Sequence, residues 1–374
     1  MKLKNKLRLS TKILFGILVV CVLLNIIAWT STAFSDWYTQ NIFPVWNNMF
    51  GRLTSLFPVS VGEIMILIVV IGIPVSLLVM LVLLIIKKGR RKKVFKGFGL
   101  TYLWIIAFVV LTETLNCFIL YHCSTFGELY DIPKEEHTTA QLEELCEDLI
   151  DHANDLADKA QRNDKHQFVL TADLNETAKE SMQKLGEDYP QLKGYYVTPK
   201  PVKNSYFMSQ QYLMGIYFPF SMEANYNRLM YQSNLPDTVC HELAHTKGFI
   251  QEDEASFIAF LACVKSDNVE YQYSGYLNAL KYVLNKVDEF SSEDKKKEIY
   301  SSISPFVAVD YVGNYDYWEE VQNDNSGFVS SKTVAKISDK AMETSLKLNG
   351  VEDGKKSYGR MTDLLLNYYY NKNN

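Results

Sequence analysis

Three dense apolar stretches lie in the first third of the chain, and beyond them the hydrophobic positions recur at helical spacing. The stretches run from Ile13 to Trp29, Ile64 to Ile86 and Leu100 to Tyr121. The second holds 23 residues without a charge, and about 20 suffice for a helix to cross the hydrocarbon layer. Gly72 and Pro74 interrupt it, as membrane helices tolerate. Thr30 to Phe34 extend the first stretch to the interface. The pattern predicts spans near 13–34, 64–86 and 100–121, hence a membrane anchor over 1–121 and an outer domain over 122–374.

In the outer domain, Leu142, Leu145, Cys146, Leu149, Ala153 and Leu156 predict a helix from Thr138 to about Gln161. Thr171 to Asn175 opens another, ending near Leu185-Gly186. Tyr195-Tyr196-Val197 and Met214 to Phe218 read as short strands, the second leading through Pro219-Phe220-Ser221 into Met222 to Asn225. A free strand edge here can hold an extended peptide by backbone hydrogen bonds; equally, the strands can simply pack two helical layers. Asp237, after Pro236, is the predicted N-cap of a helix carrying Val239, His241, Glu242 and His245, which Gly248 ends. A new helix begins near Gln251 or Glu252 and runs past Phe257 and Leu261 to Cys263. Tyr276 to Val287 is a further helix, and Asp288 to Lys297 reads as a charged, solvated connection. The last helices are placed near Ser330–Leu348 and Ser357–Tyr370, separated by Asn349 to Gly354.

Charge orients these elements. Lys2, Lys4, Lys6, Arg8 and Lys12 precede the first span, and seven basic residues from Lys87 to Lys96 link the second to the third. The segment from Ser35 to Glu63 carries only Arg52. By the positive-inside rule the amino terminus is cytoplasmic and the outer domain extracytoplasmic, in a multi-pass cell-membrane protein whose first partner is the lipid bilayer. A cleaved signal peptide is the alternative for the first stretch, but Trp29 to Ala33 is a weak cleavage site and two more spans follow. Glu113 and Asn116 fall within the third span, where Glu113 is either a relay to another span or an interface residue. Topology explains the basic link, and no basic patch in the outer domain suggests nucleic acid. The six cysteines include no CxxC pair; a bridge between two of Cys123, Cys146, Cys240 and Cys263 stays unassigned.

Candidate chemistry centres on His241-Glu242-Leu243-Ala244-His245, an HExxH motif that holds two of the six histidines. Residues four apart share a helix face, so both imidazoles can reach one metal ion. Glu242 then faces a metal-bound water rather than the metal. Catalytic zinc takes three protein ligands and keeps one open position. Glu252, Asp253 and Glu254 follow the turn, and Glu252 is the chosen third ligand. Ser256, one turn later, can hydrogen-bond a ligating histidine. Glu254 is the alternative ligand, or else pairs with Lys247 or backs the site. A plainer reading makes all three acids first-turn residues favoured by the helix dipole. Cys240 points about 100° away around the helix and is not a candidate ligand. The oxyanion of a hydrolytic reaction needs a further donor, for which Tyr358, Arg360 and Tyr226 are candidates, although with 24 tyrosines most serve packing.

The combination resembles the domain of unknown function 3810 family of membrane-anchored zinc-peptidase-like proteins. The matching residues are Pro219-Phe220, Glu223-Ala224, the HExxH motif with Gly248-Phe249, Glu252-Asp253-Glu254-Ala255 with Phe257, and Ser357-Tyr358-Gly359-Arg360. More remotely it is similar to gluzincin peptidases, although Ser256 stands where those enzymes often carry Asp or Asn. Gln251 occupies the third-histidine position of metzincins and disfavours that subclass. The expectation is therefore an α+β, mainly helical, zincin-like outer domain behind three transmembrane helices. Its predicted activity is zinc-dependent hydrolysis of an extracytoplasmic peptide or protein, with His241, His245 and Glu252 on the metal and Glu242 and Tyr358 catalytic. The rival expectation is a non-catalytic membrane sensor or assembly protein with a structural zinc. Oligomeric state is not legible.

Overall fold

The computed structural model describes residues 9–327 and 329–372. Three helices are long and apolar enough to cross a membrane: Leu9–Thr30, Val61–Ile86 and Lys88–His122. They stand where the apolar stretches predict them, while the basic residues at positions 2, 4, 6 and 8 lie outside the described residues. The third helix is the middle one. Asn25 donates to Thr114 Oγ1 across 3.0 Å, tying it to the first, and the Ser76 and Tyr102 hydroxyls meet at 2.6 Å, tying it to the second. Such bonds between spans contribute roughly 0.6 kcal/mol each.

Between the first two spans the chain is helical, which its sequence did not suggest. Thr32–Asn41, capped by Ser31, leads into the short turns Phe43–Trp46, Asn47–Gly51 and Arg52–Ser55. One side of this collar buries Tyr38, Thr39, Phe43 and Asn47; the other exposes Trp37, Val45, Met49, Leu53 and Leu56.

The outer body is mainly helical with a three-stranded sheet. Thr139–Ala157, Leu174–Leu185, Leu235–His245, Glu252–Lys265 and Val269–Phe290 bury one another's apolar faces around Leu149, Met182, Leu243, Phe257 and Leu280. The strands are β1 (Lys200–Pro201), β2 (Gly215–Phe218) and β3 (Glu223–Tyr226), in the order β1-β3-β2. β3 pairs parallel with β1 and antiparallel with β2, Gly215 facing Tyr226 and Phe218 facing Glu223. A second, smaller core joins the body to the membrane helices: Ala28, Ile119 and Leu120 of the first and third spans pack with Tyr217, Met222 and Ile250.

Three local expectations are corrected. Tyr195-Tyr196-Val197 is no strand; Tyr196 and Val197 are buried outside any ladder, Tyr196 donating to the Leu192 carbonyl, and the sheet begins only at Lys200. Asp288 to Lys297 is not an open connection, because the helix Val269–Phe290 extends through its start and Ser292 caps a new helix, Glu293–Ser302. Only Ile299 is buried there, so no apolar period announced it; Lys296–Glu293 and Lys295–Glu298 pairs line its surface. The 19-residue helix Pro305–Asn323 also lacks a clear period, since just Val307, Asp310, Val321 and Gln322 are buried in it.

One buried ion pair locks the sheet to the second span. Glu223, 1% exposed, accepts from Lys200 Nζ at 2.5 Å and from the backbone N–H groups of Val61 and Gly62 at 3.1 and 2.7 Å. Those two amides are orphan donors at the start of the Val61–Ile86 helix, where a carboxylate is favoured. Glu63 answers from the helix side, accepting from Lys203 and Asn204 N–H at 2.9 Å each. Removing one partner of a buried pair costs about 3–5 kcal/mol. Glu223→Ala is therefore expected to lower the midpoint of unfolding of the detergent-solubilised full chain strongly, and Glu223→Gln less; wild-type stability in both would refute the clamp.

Candidate metal centre

The HExxH helix begins at Leu235, with Pro236 in its first turn, where a missing N–H costs nothing. Asp237 is consequently a first-turn residue and not the N-cap. Asn234 holds the cap position, its side chain donating to Asn314 Oδ1 and accepting from Lys281. Burial pushes the Asp237 carboxyl up to about 7. Val239, Cys240, Leu243 and Ala244 are fully buried in the core, which leaves His241, Glu242 and His245 for the opposite face.

The chain then reverses within six residues. Gly248 has φ +97°, a left-handed conformation that side chains resist, and a Cβ there would fall 2.5 Å from Thr39 Cγ2 of the collar. Asn47, also of the collar, donates to the Thr246 carbonyl at 2.7 Å. The turn is thus gripped by the segment between the first two spans, and it delivers Glu252 to the motif at the start of the next helix.

One nitrogen from each of His241 and His245 and one oxygen of Glu252 lie within 4.8 Å of one another. His241 Nε2 is 3.0 Å and His245 Nε2 3.8 Å from Glu252 Oε2. Each remaining ring nitrogen is held: His245 Nδ1–H donates to the Phe249 carbonyl at 2.7 Å, and His241 Nδ1 meets Ser256 Oγ at 3.2 Å. The His245 bond fixes its tautomer with Nε2 as the free lone pair. Burial, offset only in part by the Glu252 charge, lowers the His245 pKa to about 4, so its imidazole is neutral at physiological pH. Burial also disfavours the His241 cation, but the hydrogen bond and charge of Glu252 outweigh it and raise that pKa to about 9. For Glu252 the same contacts overcome burial and lower its pKa.

Glu242 occupies the space beside the triad without joining it. Its Oε2 is buried and has no hydrogen-bond partner. Burial first, and the Glu252 charge second, lift its pKa to about 8 against the pull of His241. A Cβ on Gly215 of β2 would fall 2.3 Å from Glu242 Oε1, so the strand passes directly over this carboxylate and only glycine fits.

The other candidates are distributed differently. Glu254 accepts from Phe126 N–H at 2.6 Å, away from the triad, and burial lifts its pKa to about 8. Lys247 does not pair with it; it donates to the carbonyls of Lys193 and Tyr195 and lies 4.0 Å over the Tyr196 ring. Arg360 Nε sits 3.0 Å from Asp253 Oδ2, an ion-pair contact without the alignment of a hydrogen bond. Tyr226 is half-buried, chiefly a packing residue, whereas the Tyr358 hydroxyl donates to Met342 Sδ at 3.7 Å and is close enough to feel the Glu252 charge. Cys240 is buried beside Cys263, and all six cysteines are free thiols. Gly215 and the Phe249 carbonyl were not foreseen. A glycine inside a short strand is a signal for the first; a backbone carbonyl leaves none.

The donor set fits a divalent cation. Two imidazoles with oriented second nitrogens and one carboxylate supply three ligands, and among the described residues no fourth protein donor joins them. The partnerless Glu242 carboxylate stands beside the position left open. His241-Glu242-x-x-His245 with Glu252 has the spacing and burial of an HExxH zincin-type catalytic site, in a chain with membrane-spanning helices. Residues 38–366 match the family profile described as "Protein of unknown function (DUF3810)". No curated protein and no solved structure matches the chain.

The full chain is expected to bind about one divalent ion, read by elemental analysis after dialysis. His245→Ala should abolish binding. Ser256→Ala should weaken it by about tenfold in a chelator competition, the usual effect of removing a ligand's hydrogen-bond partner; unchanged affinity would separate Ser256 from the metal site.

Proposed function

We propose that this chain, which belongs to the DUF3810 family, is a zinc-dependent peptidase held in the membrane by three helices. In this reading residues 1–121 are the anchor and 122–374 the outer domain, with the amino terminus cytoplasmic and the outer domain extracytoplasmic, as the basic residues flanking the spans support. His241, His245 and Glu252 hold the ion. Bound zinc would supply Lewis acidity, making a water more acidic and polarising a carbonyl.

The observation that carries the reading is the unpartnered Glu242 carboxylate beside a three-donor set. Glu242 takes a proton from the attacking water and delivers it to the leaving amine. Its dry surroundings keep its affinity for that proton high. Tyr358 donates to the oxygen on which negative charge develops. Its own proton is firmly held, because burial and the charge of Glu252 raise its pKa well above the ordinary tyrosine range. β2, lying over Glu242, offers its backbone to an extended substrate.

A structural-zinc sensor or scaffold is the second reading. It has no use for a buried acid without partners, and a structural site would close with a fourth ligand.

A diverse peptide library incubated with the zinc-loaded full chain in nanodiscs tests this. Glu242→Gln is expected to keep its zinc and to slow cleavage by about 10²–10⁴-fold. Tyr358→Phe is expected to lower kcat by about 10²–10³-fold with little change in KM. Zinc bound equally, with no products distinguishing wild type from Glu242→Gln, would favour the scaffold.

A further inference from the structure

The metal centre stands at a definite height above the bilayer, and the sheet relates that height to a substrate. The outer ends of the spans fix the boundary. From Ile64 to Ile86 are 22 steps, or about 33 Å at 1.5 Å per residue, matching a hydrocarbon layer of about 30 Å. Tyr102 of the third span meets Ser76 of the second, which brings Glu113 and Thr114 level with Ile64. The outer boundary therefore passes near Ile64 and Glu113. Asn25 of the first span meets Thr114 at this level, and Trp29, 55% exposed, stands about one turn further out with its ring against His122, in the interfacial zone where tryptophans collect.

The turn between β2 and β3 is built into that plane. Asn116 of the third span donates to the Pro219 carbonyl at 2.6 Å. The Phe218 ring lies against Gly62 at the head of the second span, and Phe220 stacks on Phe218. Tyr217 donates to the Asn116 carbonyl at 3.3 Å. β2 thus has its Phe218 end at the boundary and its Gly215 end at Glu242. Three steps of about 3.3 Å separate them, so Glu242 lies about 10 Å along the strand from the boundary. The collar gives an independent sign of the same level. It exposes Trp37, Met49, Leu53 and Leu56, large apolar side chains of the kind that sit against lipid. A cleft of about 550 Å³ opens beside Gln251, walled by Trp29 and Tyr121 of the spans and by Arg360.

We propose that the substrate is a polypeptide anchored in the same bilayer by its own apolar helix and cleaved close to where it leaves the membrane. The inference rests on the peptidase reading above. β3 is the central strand, so β2 keeps one edge for a substrate. A chain paired along that edge runs from the scissile bond at Glu242 down to the membrane boundary at Phe218. An extended chain spans at most about 3.3–3.6 Å per residue. The scissile bond accordingly falls about three to six residues from the end of the substrate's span. Soluble peptides lack the anchor that places this stretch on the edge.

Two measurements on the full chain in phosphatidylcholine–phosphatidylglycerol vesicles test the proposal. The first is independent of activity: a photo-crosslinking benzoylphenylalanine replaces Phe220 or, as a control on the distal outer body, Tyr300. Lipid adducts at 220 and none at 300 are expected; absence of adducts at 220 would overturn the placement. The second uses the zinc-loaded chain with a randomised decapeptide library in three forms: free, directly following a polyleucine-alanine membrane helix, and separated from that helix by 25 Gly/Ser residues. The directly joined library is expected to be cut at least tenfold faster than the long-spacer form, which shares its concentration in the membrane. Cuts should cluster within six residues of the helix. Equal rates for joined and long-spacer libraries would overturn the tethered substrate and leave the peptidase intact. Cleavage of none, with wild type matching Glu242→Gln, would overturn the peptidase reading and this inference with it.

Discussion

Three ligand atoms drawn from two helices must stay within 4.8 Å of one another, and the six-residue reversal between those helices carries that constraint. Its backbone conformation requires glycine at 248, its first carbonyl is held by Asn47, and its Phe249 carbonyl orients the second histidine. A longer or looser turn would move Glu252 along its helix axis by 1.5 Å per residue and rotate it by about 100°. Either change separates it from His241. The rest of the site is support for this arrangement: Ser256 on the first histidine, and Glu242 held in a pocket with no room for a side chain at 215.

The legible parts of the molecule are those in which one residue type at one spacing has one physical meaning. Long uncharged runs gave the spans, HExxH followed by an acidic first turn gave the metal centre, and the period of Leu142 to Leu156 gave its helix. Less legible elements are stabilised by partners distant in sequence. Pro305–Asn323 is placed largely by Asp310, a buried carboxylate that accepts from Arg162, Phe168 N–H, Tyr231 and Tyr273. Asp310 and Asp316 look alike in this tyrosine-rich stretch, and nothing local marks the first as such a hub. The N-cap expectation fails for a local reason: Pro236 suits the first helical turn as well as the residue before a cap, so the expected cap, Asp237, falls three residues past the real one, Asn234.

Anchor and outer body are joined by more than the chain. A carboxylate of the sheet caps the second span, an amide of the third span holds the β2–β3 turn, and the collar grips the reversal beside the metal ligands. Each contact is a directed hydrogen bond from a buried or half-buried group, which resists sliding better than apolar packing does. The apolar core between them, with Tyr217 and Ile250 against Ile119 and Leu120, excludes water from these bonds and strengthens them.

That shared core has a consequence for how the molecule comes to be folded. The collar and the body that closes over it are far apart in the chain: Asn47 and Thr246 are 199 residues apart, and Glu223 and Val61 are 162 apart. Contacts of such separation form late, after most of the loop-closure entropy has been lost. The spans enter the bilayer first and present Ile119, Leu120 and the open amides of Val61 and Gly62 as a ready surface. The outer body then condenses on a template already fixed in the membrane, so its search is over a plane and not through a volume.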